Sequence, residues 1–457
     1  MLLDALYFER LLRAHGCTEA TAVTQSVTLA LADQALTAVG APLAGRVTIW
    51  APGRIEVFGK HTDYAGGRSL LTAVERGFVV RAAPRDDRVI RVHSLDSGLR
   101  CECVLDASTT APDGHWSNYV ATVARRVALN FPSAGTGVEM VFGSNLPVAA
   151  GVSSSTALLI SVFLALASVN DLANTTIWQS ELSAPTGLAG YLGAMEMGGP
   201  FGALTGLPGV GTLGGSQDQT AILCSSAGQI SDFDWMPVRR RGSYSLPPTK
   251  QFVVAASGIV AEKSAGARAQ YNRASLMVRH LLNSWNASTG RDDRSLAAAA
   301  ESASDAADVL RSIASRSATT EFTADALRER LDQFLLETYT ILPNAARAFA
   351  EHNWSAVGQL SAQSQRAAEE WLHNQIPETS ALVRLARENG ADAASAFGAG
   401  FGGSVWALVD TDRIFAFQAD WRAAYAGEFP QAGAHASFFP TAAGPPAASW
   451  PDALFNV

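Results

Sequence analysis

The stretch Ala51-Pro-Gly-Arg-Ile-Glu-Val-Phe-Gly-Lys-His-Thr-Asp-Tyr-Ala-Gly-Gly67 joins turn-forming residues to a run of consecutive polar side chains. It follows Arg46-Val-Thr-Ile-Trp50, a β-branched and aromatic run that predicts a short strand, and Pro52-Gly53 predicts a bend where that strand ends. Carboxylate, imidazole and hydroxyl groups can match both the donors and the acceptors of a polyhydroxylated ligand. The stretch therefore predicts a ligand-binding turn; the alternative is a surface β-turn with solvated charges.

The length and composition indicate a globular protein of more than one domain. The chain has 457 residues, of which 48% are hydrophobic and 17% are charged. The net charge of −8, without any basic run, argues against a nucleic-acid partner. Four cysteines are few for this length and favour a reducing compartment.

Neither a targeting signal nor a membrane segment is predicted. The first twenty residues carry charges in an amphipathic pattern, and the longest apolar run, Ala157 to Val169, is too short to cross a bilayer. We therefore expect a cytoplasmic protein whose partners are small molecules rather than a membrane or nucleic acid.

A second stretch, Leu146-Pro-Val-Ala-Ala-Gly-Val-Ser-Ser-Ser-Thr-Ala157, predicts a phosphate-binding loop that opens a long apolar helix. Small side chains let backbone N–H groups approach an anion, and serine hydroxyls can donate to phosphate or ligate Mg²⁺. The alternative is a single serine cap on a buried helix, and three consecutive serines after Gly151 favour the phosphate loop.

The first stretch resembles the first signature of the galactokinase branch of the GHMP kinases, which are ATP-dependent kinases of small molecules. That signature runs Pro-Gly-Arg, five residues, Glu-His-Thr-Asp-Tyr, one residue and Gly-Gly, and this chain departs from it only at Lys60, where Glu is usual. The second stretch is similar to the second signature, although Ala149 replaces a usual glycine. Ala396-Phe-Gly-Ala-Gly-Phe-Gly-Gly-Ser-Val-Trp-Ala-Leu-Val409 resembles the third, a glycine-rich turn that enters a buried strand beside the phosphate loop.

The resemblance covers nearly the whole chain and implies the α+β, two-domain GHMP kinase fold. A ribosomal-S5-domain-2-like N-terminal domain would span residues 1–235, and a C-terminal domain with a ferredoxin-like βαβ core would span 236–457. Local patterns predict a hairpin between Phe78–Ala83 and Val89–His93, mostly helices over residues 293–392, and a loosely packed tail over the last eighteen residues.

The resemblance also implies catalytic and sugar-binding residues. Asp218, which follows Gly214-Gly-Ser, resembles the catalytic aspartate, and Arg54 would stabilise both this carboxylate and the phosphoryl charge. Without the other motifs, a helix N-cap is the preferred interpretation of Asp218. The expected sugar site contains Arg54, Lys60, His61, Thr62, Asp63 and Tyr271.

Nucleotide and metal residues follow from the same resemblance. Trp116 would stack on the base of ATP, with an ordinary core aromatic as the alternative. The last serine of the loop, Ser155, and the more distant Glu196 would ligate Mg²⁺. The expected ATP-binding residues are Trp116, Ala149, Ala150, Gly151, Val152, Ser153, Ser154 and Ser155.

The implied reaction is transfer of the ATP γ-phosphoryl group to the anomeric hydroxyl of galactose or a close relative. Because Lys60 reverses the usual charge at the C6 end of the sugar, a carboxylate-bearing sugar such as galacturonate is an alternative substrate. If Lys60 instead pairs with Glu56 or another carboxylate, its charge gives no reason to expect galacturonate as the substrate.

Two other functions remain open on the sequence. A non-catalytic galactose sensor on the same fold would lose catalytic or phosphate-loop groups, which are present here. A GHMP kinase acting on mevalonate or homoserine should lack the His61–Tyr64 cluster. We expect a monomer or a weak homodimer.

Overall fold

The computed structural model describes residues 2–112, 115–147, 151–259 and 265–451, which form two β-sheets with helices packed against them. The strands are β1 (Val47–Phe58), β2 (Arg68–Pro84), β3 (Val89–Ser94), β4 (Arg100–Val104), β5 (Val138–Ser144), β6 (Gln229–Asp234), β7 (Arg239–Ser245), β8 (Lys250–Ala256), β9 (Ala393–Phe397), β10 (Ser404–Asp410), β11 (Ser437–Thr441) and β12 (Ala448–Pro451). The α-helices are α1 (Leu2–His15), α2 (Glu19–Ala38), α3 (Ser117–Asn130), α4 (Ser154–Val169), α5 (Thr176–Glu181), α6 (Pro185–Met197), α7 (Gln217–Cys224), α8 (Ala265–Thr289), α9 (Leu296–Ala300), α10 (Ala306–Ala314), α11 (Ala324–Leu336), α12 (Leu342–Ala350), α13 (Trp354–Ala367), α14 (Pro377–Glu388), α15 (Ile414–Glu428) and α16 (Pro430–Gly433).

Strand β1 is longer than the sequence predicted. It runs through Pro52-Gly53 without ending, and every residue from Val47 to Phe58 is buried. The bend predicted at Pro52-Gly53 is instead a shift in the β1–β2 register between Pro52 and Arg54, a local irregularity inside the strand. The surface β-turn alternative is therefore wrong for this part of the stretch.

The predicted hairpin between Phe78–Ala83 and Val89–His93 is also wrong. Strand β5 lies between them and pairs antiparallel with β2 and parallel with β3. The inserted strand is mostly apolar and almost wholly buried. A position between two neighbouring strands buries it more completely than a position at the edge of the sheet would. The path of the first sheet runs β12-β1-β2-β5-β3-β4, and β6 joins it to β7.

The second sheet has the order β11-β8-β10-β9, with all neighbours antiparallel. Strand β12 returns to pair with β1 in the first sheet, which corrects the prediction of a loosely packed tail for the part of that segment up to residue 451. The boundary near residue 236 stays a prediction; that position lies between the paired strands β6 and β7.

The two sheets share a hydrophobic core. The Phe58 ring on β1 packs edge-to-face against Trp406 on β10, with centroids 6.2 Å apart, and both belong to one continuous cluster of buried side chains. Residues 293–392 are mostly helical, as expected, and α8 to α11 enclose a second apolar cluster. The end of β1 is therefore covered by elements from much later in the chain. Among the described helices, none combines the length and the hydropathy needed to cross a bilayer.

Candidate active site

Arg54 contacts two separate parts of the chain from its position after the β1 irregularity. Its N–H donates to the carbonyl of Val152 at 3.3 Å. In the side chain, Nε donates to Asp218 Oδ1 at 2.8 Å and Nη1 donates to the carbonyl of Gly151. The residue is only 4% exposed. The guanidinium thus joins the strand of the first signature to the phosphate loop and to α7.

Asp218 lies in the first turn of α7, and each of its carboxylate oxygens has a different partner. Oδ1 accepts from Arg54, and Oδ2 accepts from the hydroxyl of Ser153. Ser153 has φ of 63°, a left-handed conformation that is costly for a residue with a side chain and is common at functional sites. The Asp218 side chain is still 31% exposed. The carboxylate is therefore fixed in orientation while a ligand can reach it.

His61, Asp63 and Tyr271 lie together beside Asp218. The ring centroids of His61 and Tyr271 are 5.6 Å apart, and His61 Nδ1 lies 2.8 Å from Tyr64 Oη. Asp63 Oδ2 accepts the main-chain N–H of the residue before Asp218 at 3.2 Å. The structure therefore brings these three predicted side chains together.

Burial shifts the pKa of each member of this cluster. Burial, reinforced by the Arg330 cation, lowers the pKa of His61 to about 3, so the ring is neutral near pH 7. Burial raises the pKa of Asp63 to about 6, and the charge of Asp218 acts in the same direction. Burial also raises the pKa of Tyr271 well above its ordinary value, with the Asp63 charge adding to the effect.

The glycine-rich segment before α7 leaves room for these side chains. A Cβ atom at Gly215 would collide with the Asp63 carboxylate, and one at Gly214 would lie 2.7 Å from Tyr271 Oη. Asn272 both accepts from and donates to main-chain groups of this segment. The glycines are therefore required by close packing against the predicted sugar-binding side chains.

The structure does not bring Lys60 or Thr62 into the cluster. Lys60 is 2% exposed, and its Nζ donates to Ser364 Oγ at 3.0 Å and to Ser395 Oγ at 2.7 Å. Thr62 is fully buried, and its hydroxyl donates to the main-chain carbonyl of Gly59 at 2.9 Å. Both polar groups are occupied by the protein itself, so the predicted contact of these two side chains with sugar has no support in the geometry.

On the phosphate side, Gly151 to Ser155 form a loop that enters α4. Gly151 has φ of 72° and Ser153 is left-handed, so successive peptide groups change direction just before the helix N-terminus. Val152 is buried, whereas Ser154 and Ser155 are half-buried. The predicted ATP-binding residues Ala149 and Ala150 lie outside the described residues.

Glu196, from the end of α6, reaches the first turn of α4. Its Oε2 accepts from Thr156 Oγ1 at 3.1 Å and from Gln219 Nε2 at 2.7 Å. Thr156 follows Ser155, and Gln219 follows Asp218. Serine hydroxyl and carboxylate oxygens are the donors that Mg²⁺ prefers, so Ser155 and Glu196 suit this ion chemically.

Trp116 lies at the N-terminal end of α3, half-buried against the hydrophobic core that the two sheets share. Its indole Nε1 is buried, and no protein group in the described residues accepts from it. The packing fits the core-aromatic alternative and the unused donor fits a ligand contact, so its role in binding the nucleotide base stays a prediction.

The third signature packs against the phosphate loop, as its pattern predicted. It forms the turn between β9 and β10, and a Cβ atom at Gly398 would lie 3.0 Å from the carbonyl oxygen of Gly151. The Arg54 guanidinium lies 5.7 Å from the centroid of the Phe397 ring. This turn therefore lies beside both the phosphate loop and the Arg54 guanidinium.

The sequence analysis missed several buried polar residues around the site. Gln217 Nε2 donates to Glu56 and its Oε1 accepts from Ser69 Oγ at 2.8 Å. On α11 and on its continuation, the helical segment Glu337–Ile341, further polar side chains bind the backbone of the first signature. The signal that could have revealed them is a set of polar residues at helical spacing within the apolar pattern of α11: Arg330, Gln333 and Glu337.

Three family models match separate parts of this chain. Residues 38–84 match the galactokinase galactose-binding signature. Residues 118–189 match the GHMP kinases N terminal domain, and residues 345–427 match the GHMP kinases C terminal domain. Together they cover the sugar-binding turn, the phosphate loop and the helix–sheet region that contains the third signature.

Solved structures share the fold. A galactokinase of Lactococcus lactis complexed with galactose has a TM-score of 0.74 and 22% identity, over 92% of this chain and 98% of that chain. The Lin0012 protein of Listeria innocua has a TM-score of 0.55 and 13% identity, over 89% and 99%. A mevalonate kinase of L. major in complex with R-mevalonate has a TM-score of 0.51 and 16% identity, over 89% and 99%.

The α+β fold, with a phosphate loop facing a polar turn, is that of a GHMP kinase, a class of ATP-dependent phosphotransferases. Within this class, residues 38–84 carry the galactose-binding signature of galactokinases. It is therefore a kinase that acts on a sugar hydroxyl.

Proposed function

We propose that the protein transfers the γ-phosphoryl group of ATP to the anomeric hydroxyl of galactose or a close relative. One observation carries the proposal: the Arg54 guanidinium binds Asp218 and the Gly151 carbonyl at the same time. A cation between a candidate base and the phosphate loop suits phosphoryl transfer, in which catalysis is mostly positioning and charge stabilisation.

The sugar-binding side of the proposal rests on His61, Asp63 and Tyr271. Asp63 would accept hydrogen bonds from a pair of sugar hydroxyls, and the neutral His61 ring would take part as donor or acceptor. Tyr271 would cover the ring of the sugar. Thr62 would hold the turn through the main-chain carbonyls to which it donates, rather than bind sugar.

In the transfer step, Asp218 would orient the anomeric hydroxyl and accept its proton. The hydroxyl oxygen would attack the γ-phosphorus while the bond to the β–γ bridging oxygen breaks and ADP leaves. Arg54 would stabilise the charge that develops on the phosphoryl oxygens. Ser153 would keep Asp218 turned toward the reacting oxygen through its hydrogen bond.

The nucleotide would lie along residues 149–155 with its base near Trp116. Ser155 and Glu196 would hold Mg²⁺, which neutralises phosphate charge when it is bound. That Glu196 contacts the neighbours of both Ser155 and Asp218 supports this assignment. The oligomeric state stays a prediction of a monomer or weak homodimer.

The position of Lys60 supports galactose over galacturonate. Its ammonium is buried and donates to two serine hydroxyls, one of which also donates to Glu337. A cation used in this way is not presented to a carboxylate at C6. Internal pairing, the alternative left open by the sequence, therefore has the better support.

The experiment is a measurement of ADP release with a panel of sugars, with phosphorus NMR of the product. We expect turnover with galactose, a product phosphorylated at C1, and no turnover with 1-deoxygalactose, which lacks the reacting hydroxyl. A strong preference for galacturonate would overturn the choice of sugar. Sugar binding without ADP release from any member of the panel would favour the non-catalytic sensor.

A further inference from the structure

One face of α11 and its continuation carries three fully buried polar side chains. Arg330, Gln333 and Glu337 are separated by three and four residues, so they share one face of the helix. Each is 0% exposed. Charged side chains are seldom buried this deeply without partners. The groups that they bind therefore indicate the function of this face of the helix.

The partners are the peptide groups of the sugar-binding turn. Arg330 Nη2 donates to the carbonyl of His61 at 2.6 Å, across 269 residues of sequence. Gln333 Nε2 donates to the carbonyl of Lys60 at 3.1 Å. One oxygen of Glu337 accepts the main-chain N–H groups of Gly59 at 2.8 Å and of Lys60 at 3.4 Å.

This contact holds a strained part of the turn. His61 has φ of 56°, in the left-handed region, which costs energy for a residue with a side chain and persists only where the surroundings impose it. The carbonyl of this same residue accepts from Arg330. The ring of His61 and the carboxylate of Asp63, two residues later, are therefore set in direction by groups on α11.

The side chain of Lys60 completes the arrangement. Its Nζ donates to Ser364 Oγ, and the same hydroxyl lies 2.9 Å from Glu337 Oε2. Burial lowers the pKa of Lys60, while the charge of Glu337 opposes that shift. Among the carboxylates around it, Glu337 thus favours the buried ammonium most, and the two groups share a serine.

We propose that Arg330, Gln333, Glu337 and Lys60 form a buried clamp that positions His61 and Asp63 for the sugar. They are positioning residues: Arg330, Gln333 and Glu337 bind the backbone of the turn, and the Lys60 side chain binds Ser364 and Ser395 rather than the substrate. The inference rests on the proposed function. It states that affinity for the sugar, and not for the nucleotide, depends on a charge pair behind the sugar-binding turn.

The first test is Glu337→Gln, which keeps the shape but leaves the Lys60 ammonium without its counter-charge. We expect the KM for galactose to rise about 10- to 100-fold, because misplacement of binding groups by about 1 Å has effects of this size. The KM for ATP should stay within about twofold. Glu329→Gln makes the same change on α11 at a side chain that is 38% exposed. It is the matched control and should change neither the KM for galactose nor the KM for ATP.

The second test is the double variant Lys60→Met/Glu337→Gln, compared with both single variants. Because it removes both charges together, it should recover part of the sugar affinity that each single variant loses. Purely additive losses in the double variant would overturn the charge-pair part of the inference.

Binding without turnover separates positioning from simple stability. For Glu337→Gln we expect a smaller rise in melting temperature on adding galactose, and an unchanged rise on adding a non-hydrolysable ATP analogue. A lower melting temperature with unchanged sugar KM would make the role merely structural and overturn the clamp. If Glu337→Gln does not fold, Gln333→Met, which removes one uncharged donor, takes its place. The rises in melting temperature on adding galactose and on adding the ATP analogue then decide.

The two proposals fail in different ways. If the wild-type protein phosphorylates no sugar of the panel, the proposed function fails before any variant is made. If the wild type is active and Glu337→Gln keeps wild-type sugar affinity, the clamp alone is wrong.

Discussion

The Asp63 carboxylate is tied to the residue that precedes Asp218: Asp63 Oδ2 accepts the main-chain N–H of Gln217 at 3.2 Å. The two acids come from a turn after β1 and from the first turn of α7, which are far apart in sequence. This single hydrogen bond sets the proposed sugar-binding acid beside the candidate base. The proposed chemistry requires this proximity, because a bound sugar must reach both groups at once.

Asp218→Asn should abolish turnover while ATP still binds. The amide cannot accept the proton of the sugar hydroxyl, and loss of a general base lowers kcat by about 10²- to 10⁴-fold. Initial rates of ADP release measure the loss of turnover, and calorimetry measures whether the nucleotide still binds. Turnover close to wild type would remove Asp218 from the mechanism.

Arg54→Lys should lower kcat by about 100-fold or more and leave the fold intact. A lysine cannot bind Asp218 and the Gly151 carbonyl together, as the planar guanidinium does. The matched control is Arg68→Lys, in a second Arg–Asp pair with Asp232 at 2.6 Å on neighbouring strands. The control should lower the melting temperature without a comparable loss of kcat; equal losses of kcat would contradict a specific role for Arg54.

The affinity for sugar should fall below about pH 6. Burial raises the pKa of Asp63 to about 6, so lowering the pH below this value protonates the carboxylate and removes an acceptor for sugar hydroxyls. The logarithm of kcat/KM for galactose should then fall by about one per pH unit. Nucleotide affinity, measured over the same range, is the control. A galactose KM that is flat from pH 7.5 to 5 would contradict the prediction.

Glu56 should make the folded protein less stable as the pH rises toward 7. Burial raises its pKa from 4.5 to about 7, against the opposing charges of Lys60 and Arg54. Between these two values the folded state holds a proton that the unfolded state releases, so the free energy of unfolding decreases as the pH rises through this window.

Glu56→Gln should remove that pH dependence. Relative to wild type, the variant should gain roughly 1–3 kcal/mol between pH 5 and pH 8, measured by urea unfolding at both values. Glu102→Gln, at a side chain that is 59% exposed, is the control. An identical pH dependence in Glu56→Gln and wild type would show that Glu56 is ionised throughout.

The parts of the site that local sequence could predict are those in which the chemistry lies in a short motif. Arg54, His61 and Asp63 belong to one short motif whose residue types already imply a ligand, Asp218 was identified through the resemblance, and the structure brings them together. Their motifs also implied the GHMP fold, which the family models confirm.

The parts that could not be predicted depend on partners distant in sequence. Strand β5 separates β2 from β3 through pairings that no local pattern encodes, so the hairpin was predicted wrongly. The direction of the Lys60 side chain likewise depends on Ser364 and Ser395, more than 300 residues away. A single sequence gives the charge of Lys60 but not the groups around it.

The pairing of β12 with β1 has a consequence for synthesis. Trp50 on β1 lies opposite Ala448, so one edge of the strand that carries Arg54 is completed only after about 400 further residues have been translated. Until then its backbone N–H and C=O groups are open to other strands. We therefore expect the nascent chain to bind chaperones before its release from the ribosome. The refolding yield should depend steeply on protein concentration.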